Sequence, residues 1–140
     1  MRLFLDTSVL LAAIGSAKGA SRYVIESAAA NQWELVTSSY CVEETTRNLF
    51  KIARSATRTW TRLIEPKLTR VPTELVLDKV LVFPKAKDRP VIISALAAEP
   101  DFLLTLDEGD FQKVIGSQVY GLQVRTPGQF LFEQRAAGNL

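Results

Sequence analysis

The stretch Phe102-Leu103-Leu104-Thr105-Leu106-Asp107 is largely apolar until its last residue, and Leu3-Phe4-Leu5-Asp6 repeats the pattern near the start of the chain. Continuous apolar runs, rather than alternating ones, suit central parallel strands that are buried on both faces. Each run ends in an aspartate, and open α/β sheets bind ligands beyond the carboxyl ends of their strands. Asp6 and Asp107 are therefore expected to face each other across a crevice. Asp110 lies one helical turn beyond Asp107 and is placed to join them.

Working outward, Thr7 and Ser8 lead into a helical stretch from Val9 to Ile14. A second helix is expected from about Ala20 to Ala30, then a strand from Trp33 to Thr37. Ser38 or Ser39 caps a long helix reaching to about Leu63. Residues 65–87, broken by Pro66, Pro72 and Pro84, carry the weakest pattern, with a short helix from Thr73 to Val80. A helix from Pro90 to Ala98 then enters the Phe102–Leu106 strand. Beyond it the pattern gives a helix near Phe111 to Ile115, a strand from Val119 to Val124, and a short helix after Pro127. Alternating strands and helices predict an α/β fold, a parallel sheet covered on both faces. With 140 residues and no repeat or linker, residues 1–140 read as a single domain.

Composition narrows the chemistry. Hydrophobic residues at 47% and charged residues at 23% describe a folded globular chain. No apolar run approaches the ~20 residues that span a bilayer. The opening Met1-Arg2-Leu3-Phe4-Leu5 resembles the start of a signal peptide, but Asp6 interrupts it, so a cytoplasmic protein is expected. Cys41 is the only cysteine and there is no histidine. Internal disulfides, cysteine–histidine zinc sites and every hydrolase with a histidine base are thereby excluded. What remains is chemistry by carboxylates, hydroxyls, lysines or a hard metal ion.

Asp88 adds to the acids. With Val91, Ile92 and Ala95 it falls at i, i+3, i+4 and i+7, in phase with the apolar face of its helix. Taken singly, each acid has a plain structural reading: Asp88 as the N-cap before Pro90, Asp6 as a cap, Asp107-Glu108-Gly109-Asp110 as a turn. Together they converge on one end of one sheet, where they would repel unless protonated or bridged by a cation. Mg²⁺ and Mn²⁺ prefer such oxygen ligands.

Four segments in order resemble PIN-domain proteins, including VapC-like toxins. They are Leu3-Phe4-Leu5-Asp6-Thr7-Ser8-Val9-Leu10-Leu11, Ser38-Ser39-Tyr40-Cys41-Val42-Glu43-Glu44, Lys87-Asp88-Arg89-Pro90-Val91-Ile92-Ile93-Ser94-Ala95-Leu96, and Asp101 to Phe111 with its Thr-x-Asp at Thr105–Asp107. Val124-Arg125-Thr126-Pro127 is similar to the family's final strand and Thr-Pro. The resemblance implies a three-layer α/β/α fold around a central parallel sheet and an RNA-cutting activity. It implies Mg²⁺ or Mn²⁺ held by Asp6, Glu44, Asp88 and Asp107, with Asp110 as a fifth carboxylate and Thr7, Ser8 and Thr105 orienting ligands or water. Helical phase does not choose between Glu43 and Glu44; the family's spacing favours Glu44. Where the family often has Asn, this chain has Ser8. A small antitoxin protein and a homodimer are the partners implied.

Two other folds open on an aspartate after an apolar strand or hold an acidic pocket. A haloacid-dehalogenase-type phosphatase needs a second acid where Ser8 stands, and a receiver domain needs a mid-chain aspartate and a later lysine that are not well placed here. A PIN-like scaffold that binds without cutting stays open as the alternative. Net charge is +2, from 17 bases and 15 acids; with four acids bound to metal, 17 bases face 11 acids, a balance that suits a polyanion. Arg47, Lys51, Arg54, Arg58 and Arg62 step by four, three, four and four, which on a continuous helix gives one basic face, either an ordinary solvated surface or a track for an RNA backbone. Thr45, Leu49, Ile52, Ala56, Trp60 and Leu63 would then form the core face opposite.

Overall fold

Leu3, Phe4 and Leu5 are fully buried because β1 (Arg2–Leu5) runs through the middle of a sheet. The computed structural model describes residues 1–74, 88–107, 118–119 and 122–140, without the side chains of residues 88, 89, 118 and 119. The sheet order is β3-β2-β1-β4-β6-β5, formed by β2 (Glu34–Ser38), β3 (Thr69–Val71), β4 (Phe102–Leu104), β6 (Leu122–Arg125) and β5 (Gln118–Val119). β1 pairs in parallel with β2 (Leu3 opposite Leu35) and with β4 (Leu5 opposite Leu104). β3 and β6 extend the parallel sheet outward, and only β5 runs antiparallel, against β6. The chain builds outward from β1 on one side through β2 and β3, then crosses to the other side for β4. The order therefore reverses between β1 and β4, the position where doubly wound sheets open a crevice.

The described helices are α1 (Thr7–Gly15), α2 (Ala20–Ser27), α3 (Ser39–Asn48), α4 (Ala56–Thr59), α5 (Asp88–Ala98) and α6 (Pro127–Ala136). They cover the sheet in the expected three-layer α/β/α arrangement, with α1 against α2 and α3, α5 against β2, and α6 against α2. Phe130 of α6 is fully buried and meets Trp33 and Phe102 edge-on, with ring centroids 5.0 and 5.1 Å away. Thr126 and Gln129 close a reciprocal capping box at the start of α6. Among the described residues no helix is long and apolar enough to cross a membrane.

The long helix expected to reach Leu63 is not continuous. It ends at Asn48, gives way to a 3-10 turn (Leu49–Lys51), resumes as α4, and finishes in a π-turn (Trp60–Ile64). Thr45, Thr46 and Asn48 each bond back to the carbonyl four residues earlier, a competition with the helical ladder that bends and weakens helices. The π-turn inserts one residue, so burial passes from Trp60 to Ile64 and leaves Leu63 48% exposed, against the expected core face.

Other boundaries shift. α2 stops at Ser27 rather than Ala30. The strand expected from Val119 to Val124 is two antiparallel strands, with Val119 opposite Leu122; Gly121 inside an apolar pattern was the signal of a break. β3 carried no readable pattern because three residues are too few to show a period. Thr73 begins no helix; its hydroxyl accepts the Tyr40 N–H at 2.7 Å and so serves the start of α3. The remainder of that helix, and the one expected at Phe111 to Ile115, lie outside the described residues.

Phe130→Ala should open a cavity between α6 and the sheet and cost about 3–5 kcal/mol in urea unfolding. A loss under about 1 kcal/mol would mean that α6 is not part of the core.

Candidate active site

Asp6 leaves β1 at the point where α1 begins, in extended conformation (φ −72°, ψ 158°), and is only 4% exposed. Its Oδ1 accepts the Thr7 N–H at 2.8 Å. Its Oδ2 accepts two hydroxyls, Ser8 Oγ and Thr105 Oγ1, both at 2.8 Å. Those hydroxyls in turn accept backbone donors from the turn after β4: Leu106 N–H to Ser8 Oγ and Asp107 N–H to Thr105 Oγ1, both at 3.0 Å. Each hydroxyl proton is thus committed to Asp6, and the 3.4 Å approach of Ser8 Oγ to Thr105 Oγ1 is a packing contact rather than a shared proton. A carboxylate offers about four lone-pair positions. Among the described residues three are taken here, and the one left over is on Oδ1.

Burial pushes the Asp6 carboxyl from 3.8 up to about 6; the Thr105 and Ser8 hydrogen bonds oppose the rise, the Asp107 carboxylate adds to it, and the Thr7 amide opposes it. Asp107 itself is exposed, in the turn three residues beyond the end of β4, the strand that pairs with β1. The two aspartates expected at the strand ends are therefore electrostatic neighbours. Asp6 acts at once as the first residue of a helix cap and as a strained acid, so its two readings are not exclusive.

The structure separates the two glutamates of α3. Glu43 is exposed and lies 3.8 Å from Arg70 at the β3 edge. Glu44 is half-buried, and Tyr40 Oη donates to its Oε2 at 3.5 Å. Burial raises the Tyr40 phenol, and the Glu44 charge adds to the rise. Asp88 is the first residue of α5, followed by the buried Val91, Ile92 and Ala95; the placement of its side chain and the whole of Asp110 lie outside the described residues. Among the described residues no group of three or more acidic or thiol side chains is close enough to hold a metal ion.

Cys41 and Tyr40, near these acids, were given no role by the sequence. Cys41 is fully buried on α3; burial raises its thiol, Asp6 adds to the rise, and the Ser38, Thr7 and Thr37 hydroxyls act against it. Thr7 Oγ1 is buried and makes no hydrogen bond among the described residues, although it is close enough to Cys41 to favour a thiolate there. Tyr40 was legible only as the residue four before Glu44, one helical turn away. The five bases Arg47, Lys51, Arg54, Arg58 and Arg62 are all exposed, but the interrupted helix removes the single face expected of them.

Comparison with known proteins decides the family. The sequence pattern of the PIN domain matches residues 2–109. The chain belongs to the PIN-domain family. That match ends one residue before Asp110 and does not include the Val124–Pro127 segment. Among solved structures this PIN domain is similar in fold to a chain of VapBC2 from Rickettsia felis, crystallised bound to a DNA fragment from their promoter. The TM-score is 0.61 at 15% identity, over 90% of this chain and 98% of that one. No curated protein sequence matches.

The donor set of this PIN domain fits a hard divalent cation. Mg²⁺ is commonly held by one or two carboxylates with its remaining positions left to water and phosphate, and Asp6 with Asp107 supplies such a pair. A cation would also offset the cost of ionising buried Asp6.

That cost sets a pH signature in the metal-free protein. A folded-state carboxyl raised from 3.8 to about 6 contributes stability that is complete below 3.8 and lost as pH rises through about 6, on the order of 3 kcal/mol. Asp6→Asn removes that dependence but turns an N–H donor toward either the Thr7 amide or the two hydroxyls, a loss of about 1–2 kcal/mol. In EDTA at pH 7 the variant should be more stable than the native chain by about 1–2 kcal/mol, and at pH 4 that advantage should vanish. Denaturant curves at both pH values check it; parallel behaviour of the two proteins would remove the raised Asp6 carboxyl from the account.

Proposed function

We propose that this PIN domain is a cytoplasmic endoribonuclease dependent on Mg²⁺ or Mn²⁺, acting as the toxin of a VapBC-type pair. The reading is carried by buried Asp6, held by three donors among the described residues with one lone-pair position left over, beside Asp107 at the point where the sheet order reverses. Family membership and the fold shared with the VapBC2 chain support it. Asp6, Glu44, Asp88 and Asp107 would hold the cation, joined by Asp110. A divalent cation bound there supplies a water of lowered pKa and neutralises charge on the phosphate.

The protein's own part is positioning. Thr7 N–H, Ser8 Oγ and Thr105 Oγ1 fix the plane of the Asp6 carboxylate, and the amides of Leu106 and Asp107 fix those hydroxyls. Asp107, being exposed, would be reached by a phosphodiester arriving from solvent. Arg47, Lys51, Arg54, Arg58 and Arg62 supply positive charge for the RNA backbone, Arg47 on α3 and the other four on the interrupted segment after it. A small antitoxin and a second copy of the chain are the partners this reading carries.

The rival is a PIN-like scaffold that binds RNA or a protein without cutting. It is favoured by the absence of a three-acid cluster among the described residues. Cleavage of a panel of purified RNAs in Mn²⁺ separates the two. On our reading cleavage occurs, EDTA abolishes it, and Asp6→Asn and Asp107→Asn each lower it by about 100-fold or more, beyond what loss of an outer hydrogen-bond partner costs. Normal cutting by the Asp6→Asn protein would end the proposal, and a native protein that binds RNA but never cuts would establish the scaffold.

Arg54→Gln with Arg58→Gln should weaken RNA binding and reduce the slope of log affinity against log salt by about one to two, while the rate at saturating RNA stays near native. An unchanged slope would place the RNA track away from these arginines.

A further inference from the structure

Phe50 has no place in the core. It is 79% exposed on the 3-10 turn that interrupts the basic segment, whereas Phe4, Phe102 and Phe130 are buried. Phe132 on α6 is similarly exposed, at 75%, but has Glu133 beside it. Phe50 stands in a different sequence setting: Arg47, Lys51 and Arg54 are exposed within four residues of it, and no acid occurs from Asn48 to Ile64, the nearest before it being Glu43 and Glu44, one helical turn ahead of Arg47. The Lys51 ammonium lies 5.7 Å from the centre of the Phe50 ring. The break after Asn48 creates this arrangement, because Leu49 and Ala56 are buried on either side while Phe50 is turned out to solvent.

An exposed aromatic ring within a purely basic stretch has the composition of a platform for single-stranded nucleic acid. Bases stack on the ring while the cations follow the phosphates. An apolar protein partner would meet the cations Lys51 and Arg54 next to the same ring in an acid-free stretch, which charge complementarity disfavours unless that partner is acidic.

The position in the fold adds reach. Ile52 packs at the far end of α1, where a Cβ built on Gly15 would stand 3.4 Å from Ile52 Cγ2. Asp6 caps the opposite end of that helix, and nine residues of α-helix span roughly 13 Å. The segment carrying the ring is thus set off from Asp6 by about the length of α1, while Glu44 lies six residues before the ring in sequence.

We propose that Phe50, with Arg47, Lys51 and Arg54, forms a base-stacking subsite for single-stranded RNA, toward the end of α1 opposite Asp6. The inference rests on the nuclease reading for its substrate class, but it is tested by binding alone. The probe is a labelled single-stranded oligoribonucleotide of about a dozen residues, titrated in EDTA with the full chain, so that cutting plays no part. Phe50→Ala should raise Kd by about 5- to 100-fold, the range of one lost stacking contact. Phe50→Trp should bind as tightly as the native chain, and Phe50→Leu should bind as weakly as the alanine variant. Melting curves should agree for all four proteins, because the ring is exposed.

Native affinity in Phe50→Ala would overturn the subsite. So would native affinity in Phe50→Leu, which would reveal an apolar contact suited to a protein partner. The two proposals fail separately. Native protein that cuts RNA while Phe50→Ala binds normally loses only the subsite; Phe50-dependent binding without Mn²⁺-dependent cleavage loses only the nuclease.

Discussion

The hydroxyls of Ser8 and Thr105 each accept a backbone N–H from the turn after β4 and each donate to the same oxygen of Asp6. This pair of relays joins the carboxyl ends of the two strands on either side of the topological reversal. It has one permitted sense, since an N–H cannot accept and a carboxylate cannot donate. The turn that carries Asp107 is therefore held to α1 and β1 by side chains, beyond the reach of sheet pairing. Its rigidity follows from the acid it serves. An ionised Asp6 strengthens both hydroxyl bonds, as charged acceptors do, while burial resists the ionisation.

That tension makes the site a place where stability and chemistry oppose each other. The surroundings are apolar enough to penalise a bare carboxylate and polar enough to orient it. Metal-binding sites commonly combine these properties, because the cation restores what burial removes. The same combination explains why Asp6 resists assignment to one role: the helix cap and the acid use different oxygens. Oδ1 meets the first amide of α1, and Oδ2 meets the hydroxyls.

The central strands were legible because Leu3–Leu5 and Phe102–Leu104 are buried on both faces, which erases the polar alternation that elsewhere blurs with helix. The acids at their ends followed from strand direction alone. The interrupted helix was not legible, since the back-bonding of Thr45, Thr46 and Asn48 reads as ordinary helix-neutral residues, and a one-residue π insertion leaves no mark until the core face slips from Leu63 to Ile64. Nor could the hydroxyl relay be read, because it depends on backbone amides of Leu106 and Asp107 that every residue carries. Glu43 and Glu44 are adjacent in sequence and differ only in what surrounds them: Arg70 from an unreadable edge strand for one, Tyr40 for the other.

Cys41, buried on α3 close to Asp6 with its thiol pushed up, is the only sulfhydryl in the chain. A thiol so placed is shielded from alkylating reagents until α3 lifts from the strand ends. The protein thus carries an internal clock for its own opening: the rate at which one label per molecule is taken up measures how often the acid pocket is exposed to solvent. A ligand that bound the closed pocket more tightly than the open one would slow that clock, whether or not any bond is cut.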